Sequence, residues 1–178
     1  GIGRRQRQMC IRDSIYATLT VALIFLYYIC GMMPFDAISH SFTTISTGGF
    51  STYDSSFAFF NNDKILLVAI IFMILGSLPF LVIIQTSKKN LLAIFKDHQV
   101  RVFILILFIA IVLIFYFANS FIDGNYLNKI TAVSFNTISI ISGTGYVSEN
   151  FENWGNYASV LFLIPVSYTH LRAHETVR

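Results

Sequence analysis

The chain has 178 residues, of which 55% are hydrophobic and only 12% carry charge, with a formal net charge of +3. A mean hydropathy of +0.67 excludes an ordinary water-soluble domain, in which about a quarter of the residues are charged. The two cysteines, Cys10 and Cys30, have neither metal-ligand spacing nor the density of a disulfide framework, so neither a zinc module nor a small secreted scaffold is expected.

In chain order, residues 1–14 read as a segment foreign to the fold. The run from Arg4 to Asp13 resembles peptides that arise when sequencing-adapter DNA is translated along with a gene fragment, and such scars are set aside before fold reasoning. Residues 166–178 read the same way, because an apolar run from Ala158 to Pro165 passes into a basic tail without an interfacial residue. The basic residues Arg4, Arg5, Arg7, Arg12, Arg172 and Arg178 lie in these two segments, so the net charge belongs mostly to the ends. His170 and His174 stand at i and i+4 but lack a third ligand, so no zinc site is expected.

Between the ends, Ile15 to Met33, Ile65 to Ile84 and Val102 to Ala118 approach the roughly 20 apolar residues that cross a bilayer, and a fourth run starts near Ala158. The first is read as a retained helix rather than a signal peptide, since no small-residue cleavage site follows it. The expected fold is an all-α membrane protein with about four spans, built from repeated helix, re-entrant pore loop, helix units. Residues 15–87 form one pore repeat, 88–100 a cytoplasmic connector, and 101–165 a second pore repeat cut short in its last helix.

The repeat shows when the chain is slid by 96 positions: Gly49 falls on Gly145, Phe50 on Tyr146, Ser46 on Ser142, Ser41 on Thr137 and Ala37 on Val133. Phe35–Phe60 and Phe121–Asn153 each open with a stretch too short to span, Phe35 to Ser46 and Leu127 to Ser142. Irregular backbone at membrane depth is tolerated only where protein buries it or where it lines a wet cavity, so a glycine turn after a half-membrane helix predicts a pore. Lys88, Lys89, Lys96 and Arg101 place the connector in the cytoplasm by the positive-inside rule. Asp54, Asp63, Asp123, Glu149 and Glu152 then gather outside, either concentrating cations at the mouth or serving as plain solvated loop residues, with Lys64 and Lys129 diluting the field.

The chemistry lies in Ser46-Thr47-Gly48-Gly49-Phe50-Ser51 and Ser142-Gly143-Thr144-Gly145-Tyr146-Val147. A dehydrated potassium ion needs a cage of oxygens, which filters build from backbone carbonyls. Glycine reaches the required backbone conformations and lets the chain approach the ion closely. The preceding half-helix points its negative dipole end at the cation, and the aromatic after each glycine braces the loop from behind. Alone, Gly48 and Gly49 would read as an ordinary external turn; the matched second loop decides for a filter. His40 is read as a polar packing residue, since no nucleophile or metal partner is evident. Gly76 and Pro79 mark a helix contact or kink, and Trp154 an interfacial anchor. The spans carry no charged residue, which argues against a membrane enzyme, and a bare anchor would not need two polar glycine loops.

On these residues the chain resembles the Trk/Ktr/HKT superfamily of potassium uptake channel subunits. Phe35–Phe60, with Ser-Thr-Gly-Gly-Phe-Ser-Thr and Asp54, is similar to the second pore loop of the TrkH/KtrB type, and residues 129–164, with Thr144-Gly145-Tyr146 and Asn150 to Trp154, to the third. The connector run Lys96 to Phe103 resembles the segment joining them. The resemblance implies four such repeats around one pore, with Gly49 and Gly145 each supplying a filter glycine, and no enzymatic activity. It implies potassium uptake across the bacterial inner membrane by a multi-pass subunit, the alternative being a sodium or non-selective monovalent cation channel of the same superfamily. The ion-binding residues are then Thr47, Gly48, Gly49, Phe50, Gly143, Thr144, Gly145 and Tyr146, which hold potassium through backbone carbonyls, as transported substrate and with no further cofactor. Implied partners are membrane lipid, a second copy of the full-length subunit and a cytoplasmic nucleotide-binding regulatory subunit of the TrkA/KtrA kind, with no nucleic acid.

Overall fold

A computed structural model describes residues 2–60, 62–78, 97–118, 122, 125–149 and 154. All regular structure among them is helical: α1 (Ile2–Ile29), α2 (Pro34–Ile45), a 3₁₀ turn (Ser56–Phe60), α3 (Asp63–Ser77), α4 (His98–Ala118) and α5 (Tyr126–Ile141). Among the described residues only α4 is long and apolar enough throughout to cross a membrane; the apolar part of α1 runs over Asp13–Ile29. The fourth run after Ala158, the tail with its two histidines, Asp123, Glu152 and most of the basic connector lie outside the described residues.

The first span ends earlier than its hydropathy suggests. Gly31 adopts φ +103°, and Met32 N–H donates to the Tyr27 carbonyl at 3.1 Å while Gly31 N–H donates to Tyr28 at 3.1 Å, the pattern by which a left-handed glycine closes a helix. Met33 is extended, as a residue before proline prefers, and Pro34 opens α2 at its first position, where a missing N–H costs nothing.

The second span is also interrupted. The span is expected to run to Ile84, of which residues 79–84 lie outside the described residues; α3 stops at Ser77, and Leu78 is extended with φ −67° and ψ 146°, because Pro79 disfavours the helical region for the residue before it. Its start is well set: the Asn62 side chain accepts from Lys64 N–H at 3.0 Å, a side-chain cap, and Asn62 Nδ2 donates to the Cys30 carbonyl at 3.1 Å. One side chain thus ties the start of α3 to the end of α1. α4 begins at His98 because Asp97 Oδ1 accepts from Gln99 N–H at 2.8 Å.

α1, α2 and α3 pack on one another, α3 packs also on α5, and α5 on α4. The short helices α2 and α5 thus each pack between two others, α2 on α1 and α3, α5 on α3 and α4, and the core formed there includes Leu23, Tyr27, Phe57, Met73, Phe135 and Tyr146, none more than 1% exposed. The outward faces keep Phe25, Tyr28, Phe108 and Tyr116 exposed, an arrangement suited to hydrocarbon rather than water.

Candidate functional site

Both short helices end in the same way. After α2, Ser46 N–H donates to Phe42 at 3.0 Å, Thr47 N–H to Thr44 at 3.2 Å and Gly48 N–H to Thr43 at 2.8 Å. After α5, Ser142 donates to Ile138 at 2.8 Å, Gly143 to Ile140 at 3.1 Å and Thr144 to Ser139 at 2.9 Å. Each donor and each acceptor of the second set stands 96 positions after its counterpart, the offset read from the sequence. This is the six-to-one and five-to-two closure of a helix whose next residue is left-handed.

Thr47 at φ +51° and Gly143 at +77° supply that left-handed residue, and two positions on Gly49 at +68° and Gly145 at +84° repeat it. A threonine at positive φ costs about 1–2 kcal/mol, so the first loop holds its path against local preference. The loops also touch. A Cβ built on Gly49 would overlap the Thr144 carbonyl oxygen and lie 2.8 Å from the Thr144 carbonyl carbon, whereas one on Gly145 meets nothing within 4 Å. Gly49 is thus restricted by conformation and by space, Gly145 by conformation alone. At Gly48 a Cβ would press only on the Ser46 hydroxyl, at 3.2 Å. From the far side, α3 comes close at Gly76, where a Cβ would lie 3.0 Å from the Ile45 carbonyl oxygen; this is the helix contact expected of that glycine.

The segment rising from each loop is clasped by the same position of its short helix. His40 Nδ1 donates to the Asp36 carbonyl at 2.8 Å, which assigns the proton to Nδ1 and leaves Nε2 to accept from the Ser51 hydroxyl at 2.9 Å. Ser51 Oγ accepts in turn from Tyr53 N–H at 3.2 Å. Ninety-six positions on, Asn136 Oδ1 accepts from Ser148 N–H at 3.1 Å and Asn136 Nδ2 donates to the Glu149 carbonyl at 3.4 Å. His40 is fully buried and its role is the polar packing expected. The first loop has a second clasp, in which Asp36 accepts from the Thr52 hydroxyl at 2.8 Å and from the Tyr53 hydroxyl at 2.9 Å. Bonding to that carboxylate raises the Tyr53 hydroxyl above its ordinary pKa.

Of the sequence-predicted residues, Thr144 and Tyr146 are buried, Thr47 and Gly49 half-buried, and Gly48, Gly143 and Gly145 exposed. Tyr146 braces from behind as expected, its ring 4.4 Å from Phe57 and its hydroxyl among Thr43, Thr44 and His40. Phe50 departs from that expectation: its ring is 77% exposed, since no element among the described residues stands beside it as α2 stands beside Tyr146. Its carbonyl accepts from the Thr43 hydroxyl at 2.9 Å. The second loop is held to the first repeat by backbone as well, Ala58 N–H donating to the Val147 carbonyl at 3.2 Å and Val147 N–H to Ser56 Oγ at 3.3 Å.

Sequence reasoning passed over Asp36, Phe57 and Asn136. The 96-residue offset pairs His40 with Asn136 and was the available signal for the latter. Phe57, whose ring meets His40 edge-on at 5.2 Å and Phe135 at 5.2 Å, carries no local sequence signal. Of the carboxylates expected at a mouth, Asp54, Asp63 and Glu149 are exposed, and the partial desolvation of Glu149 raises its carboxyl above the ordinary value. Among the described residues no group of three or more His, Cys, Asp or Glu is placed to hold a metal ion.

Comparison with known proteins agrees with this fold. Residues 9–163 match the family described as TrkH, cation transport protein. The chain is 34% identical over 151 residues to the Trk system potassium uptake protein TrkI of Halomonas elongata, covering 84% of this chain and 30% of that protein. It is 32% identical over 153 residues to the Trk system potassium uptake protein TrkH of Escherichia coli, covering 84% of this chain and 31% of that protein. The crystal structure of the potassium transporter TrkH from Vibrio parahaemolyticus is similar with a TM-score of 0.80 at 31% identity, over 85% of this chain and 33% of that one. The chain therefore spans about a third of the length of these relatives, which are ion transport proteins and not enzymes. The match in sequence and fold together shows that the chain belongs to the TrkH family of cation transport proteins.

Proposed function

We propose that the chain contributes two adjacent quadrants of a potassium-selective pore, with backbone carbonyls of Thr47, Gly48, Gly49, Gly143, Thr144, Gly145 and Tyr146 facing the ion, while the Phe50 carbonyl, also expected in that set, is turned to the Thr43 hydroxyl and tethers the loop. The observation that carries this reading is the repeated backbone path, positive φ at residues 47 and 49 and again at 143 and 145, with Gly49 seated on the Thr144 carbonyl. An extended strand sends successive groups to opposite sides. Alternation in the sign of φ brings carbonyls to one side, which is what dehydrating a cation requires. The short helices add their negative ends at the same place. Remaining quadrants come from the rest of a longer subunit, and that subunit works in the bacterial inner membrane as a homodimer with a nucleotide-binding partner of the TrkA/KtrA kind.

The test is potassium uptake by the complete gene carrying this segment, expressed in a potassium-transport-deficient bacterium. Gly49→Val and Gly145→Val are expected to abolish uptake or to lower the preference for potassium over sodium. Unchanged uptake and preference in both variants, at equal membrane abundance, overturn the assignment.

A further inference from the structure

Behind the loops lies a set of hydroxyls that the filter reading does not by itself require. The Tyr27 hydroxyl is 3.1 Å from Thr44 Oγ1, Thr44 Oγ1 is 3.2 Å from the Tyr146 hydroxyl, the Tyr146 hydroxyl bonds to Thr43 Oγ1, and Thr43 Oγ1 is 2.9 Å from the Phe50 carbonyl oxygen. A carbonyl only accepts, so the last link fixes the direction of the rest. Thr43 gives its single proton to Phe50 and must accept from Tyr146; Tyr146 then accepts from Thr44, and Thr44 from Tyr27. Competing acceptors are farther than the Phe50 carbonyl: the Ser39 and His40 carbonyls lie 3.2 Å from Thr43 Oγ1, and the His40 carbonyl lies 3.2 Å from the Tyr146 hydroxyl.

We infer that Tyr27, Thr44, Tyr146 and Thr43 form a one-directional hydroxyl relay that ends on the Phe50 carbonyl, making Tyr146 and Thr43 positioning residues for ion selectivity. The inference rests on the filter reading above. The relay starts buried in α1, crosses α2, passes through the aromatic residue of the second loop and returns to the first at an exposed carbonyl, so a single chain sets the spacing of both loops. Tyr27, Thr44 and Tyr146 are buried, and in such surroundings hydrogen bonds polarise one another along a chain. Among the described residues the device is not repeated. At the offset of 96, Phe50 stands for Tyr146 without a hydroxyl, Ile140 for Thr44, and Ser139 for Thr43, and the Ser139 hydroxyl is buried without a partner among the described residues.

The test measures the ratio of rubidium to sodium uptake by the complete gene in cells, with expression matched. Tyr146→Phe and Thr43→Val each lower the ratio about fivefold, the loss expected of one buried hydrogen bond. The double variant stays near about fivefold, because both changes break one chain and neighbours in a network are not additive. Thr43→Ser, which restores the hydroxyl, returns the ratio toward wild type and excludes a misfolding effect of Thr43→Val. Gly49→Ala runs alongside as the arm that tests the filter itself. If Gly49→Ala alters the ratio while Tyr146→Phe and Thr43→Val change only total uptake, the relay is overturned and the filter reading stands. If none of the three alters it, both are overturned. Effects that multiply in the double variant overturn the relay as a connected chain.

Discussion

Replacement of Gly49 by alanine, compared with the same change one residue earlier, separates backbone geometry from the mere presence of a glycine-rich turn. At Gly49 the φ of +68° costs a residue with a Cβ about 1–2 kcal/mol. The overlap with the Thr144 carbonyl oxygen adds an overpacking penalty of about 1–3 kcal/mol, because the obstacle is backbone held by a hydrogen-bonded helix end and cannot rotate aside. The sum is about 2–5 kcal/mol, at the upper end of what single substitutions do. At Gly48 φ is not positive and the nearest atom is the Ser46 hydroxyl at 3.2 Å, which a rotamer change moves away, so Gly48→Ala is expected within about 0.5 kcal/mol of wild type. Thermal unfolding of the purified complete protein in detergent reads the difference as a large drop in midpoint for Gly49→Ala and almost none for Gly48→Ala. Equal midpoints for the two variants would refute the contact between the loops, and a larger loss at Gly48 would reverse the assignment of which glycine is pinned.

Asp36→Ala removes the acceptor for both the Thr52 and Tyr53 hydroxyls and should cost about 1.5–3 kcal/mol, the range for hydrogen bonds to a charged group. Asp36→Asn, which keeps one acceptor oxygen, falls in between, and identical midpoints for Asp36→Ala and wild type would remove the clasp. For Glu149 the folded protein holds the proton more tightly than the unfolded chain, since partial desolvation raises its carboxyl above the ordinary 4.5. Stability from this group is therefore full at acid pH and declines as pH rises from the ordinary value through the raised one. Glu149→Gln should flatten that part of the midpoint-against-pH curve, and a slope unaltered by the substitution would count against the assignment.

The repeat was legible because its signal is glycine spacing. Gly49 and Gly145 sit where positive φ disfavours other residues, so the offset of 96 shows in the sequence while neighbouring side chains differ. The short helices were legible too, since a moderately apolar stretch of 12 or 16 residues between strongly apolar runs is too short to span. The limits of the first and second spans were not. Hydropathy does not register that Gly31 turns left-handed or that Pro79 forces Leu78 to extend, and both events lie inside apolar sequence. Long-range pairing was equally hidden: a bracing role for Tyr146 was legible from its place after Gly145, but not that its hydroxyl meets Thr43 across 103 positions. Asn136 escaped notice because its counterpart is a histidine, and the two share a task through unlike chemistry.

The paired helix endings carry an evolutionary consequence. Because the donors at 46, 47 and 48 and at 142, 143 and 144, and their acceptors at 42–44 and 138–140, are all main-chain groups, the path of each loop is set by peptide geometry while its side chains are free to differ. Two loops encoded in tandem can diverge one at a time, as His40 and Asn136 have done. A pore assembled from identical chains has no such freedom, since every substitution is copied into each subunit at once. On the pore proposed above, two unlike loops in one chain make separately adjustable parts of the ring.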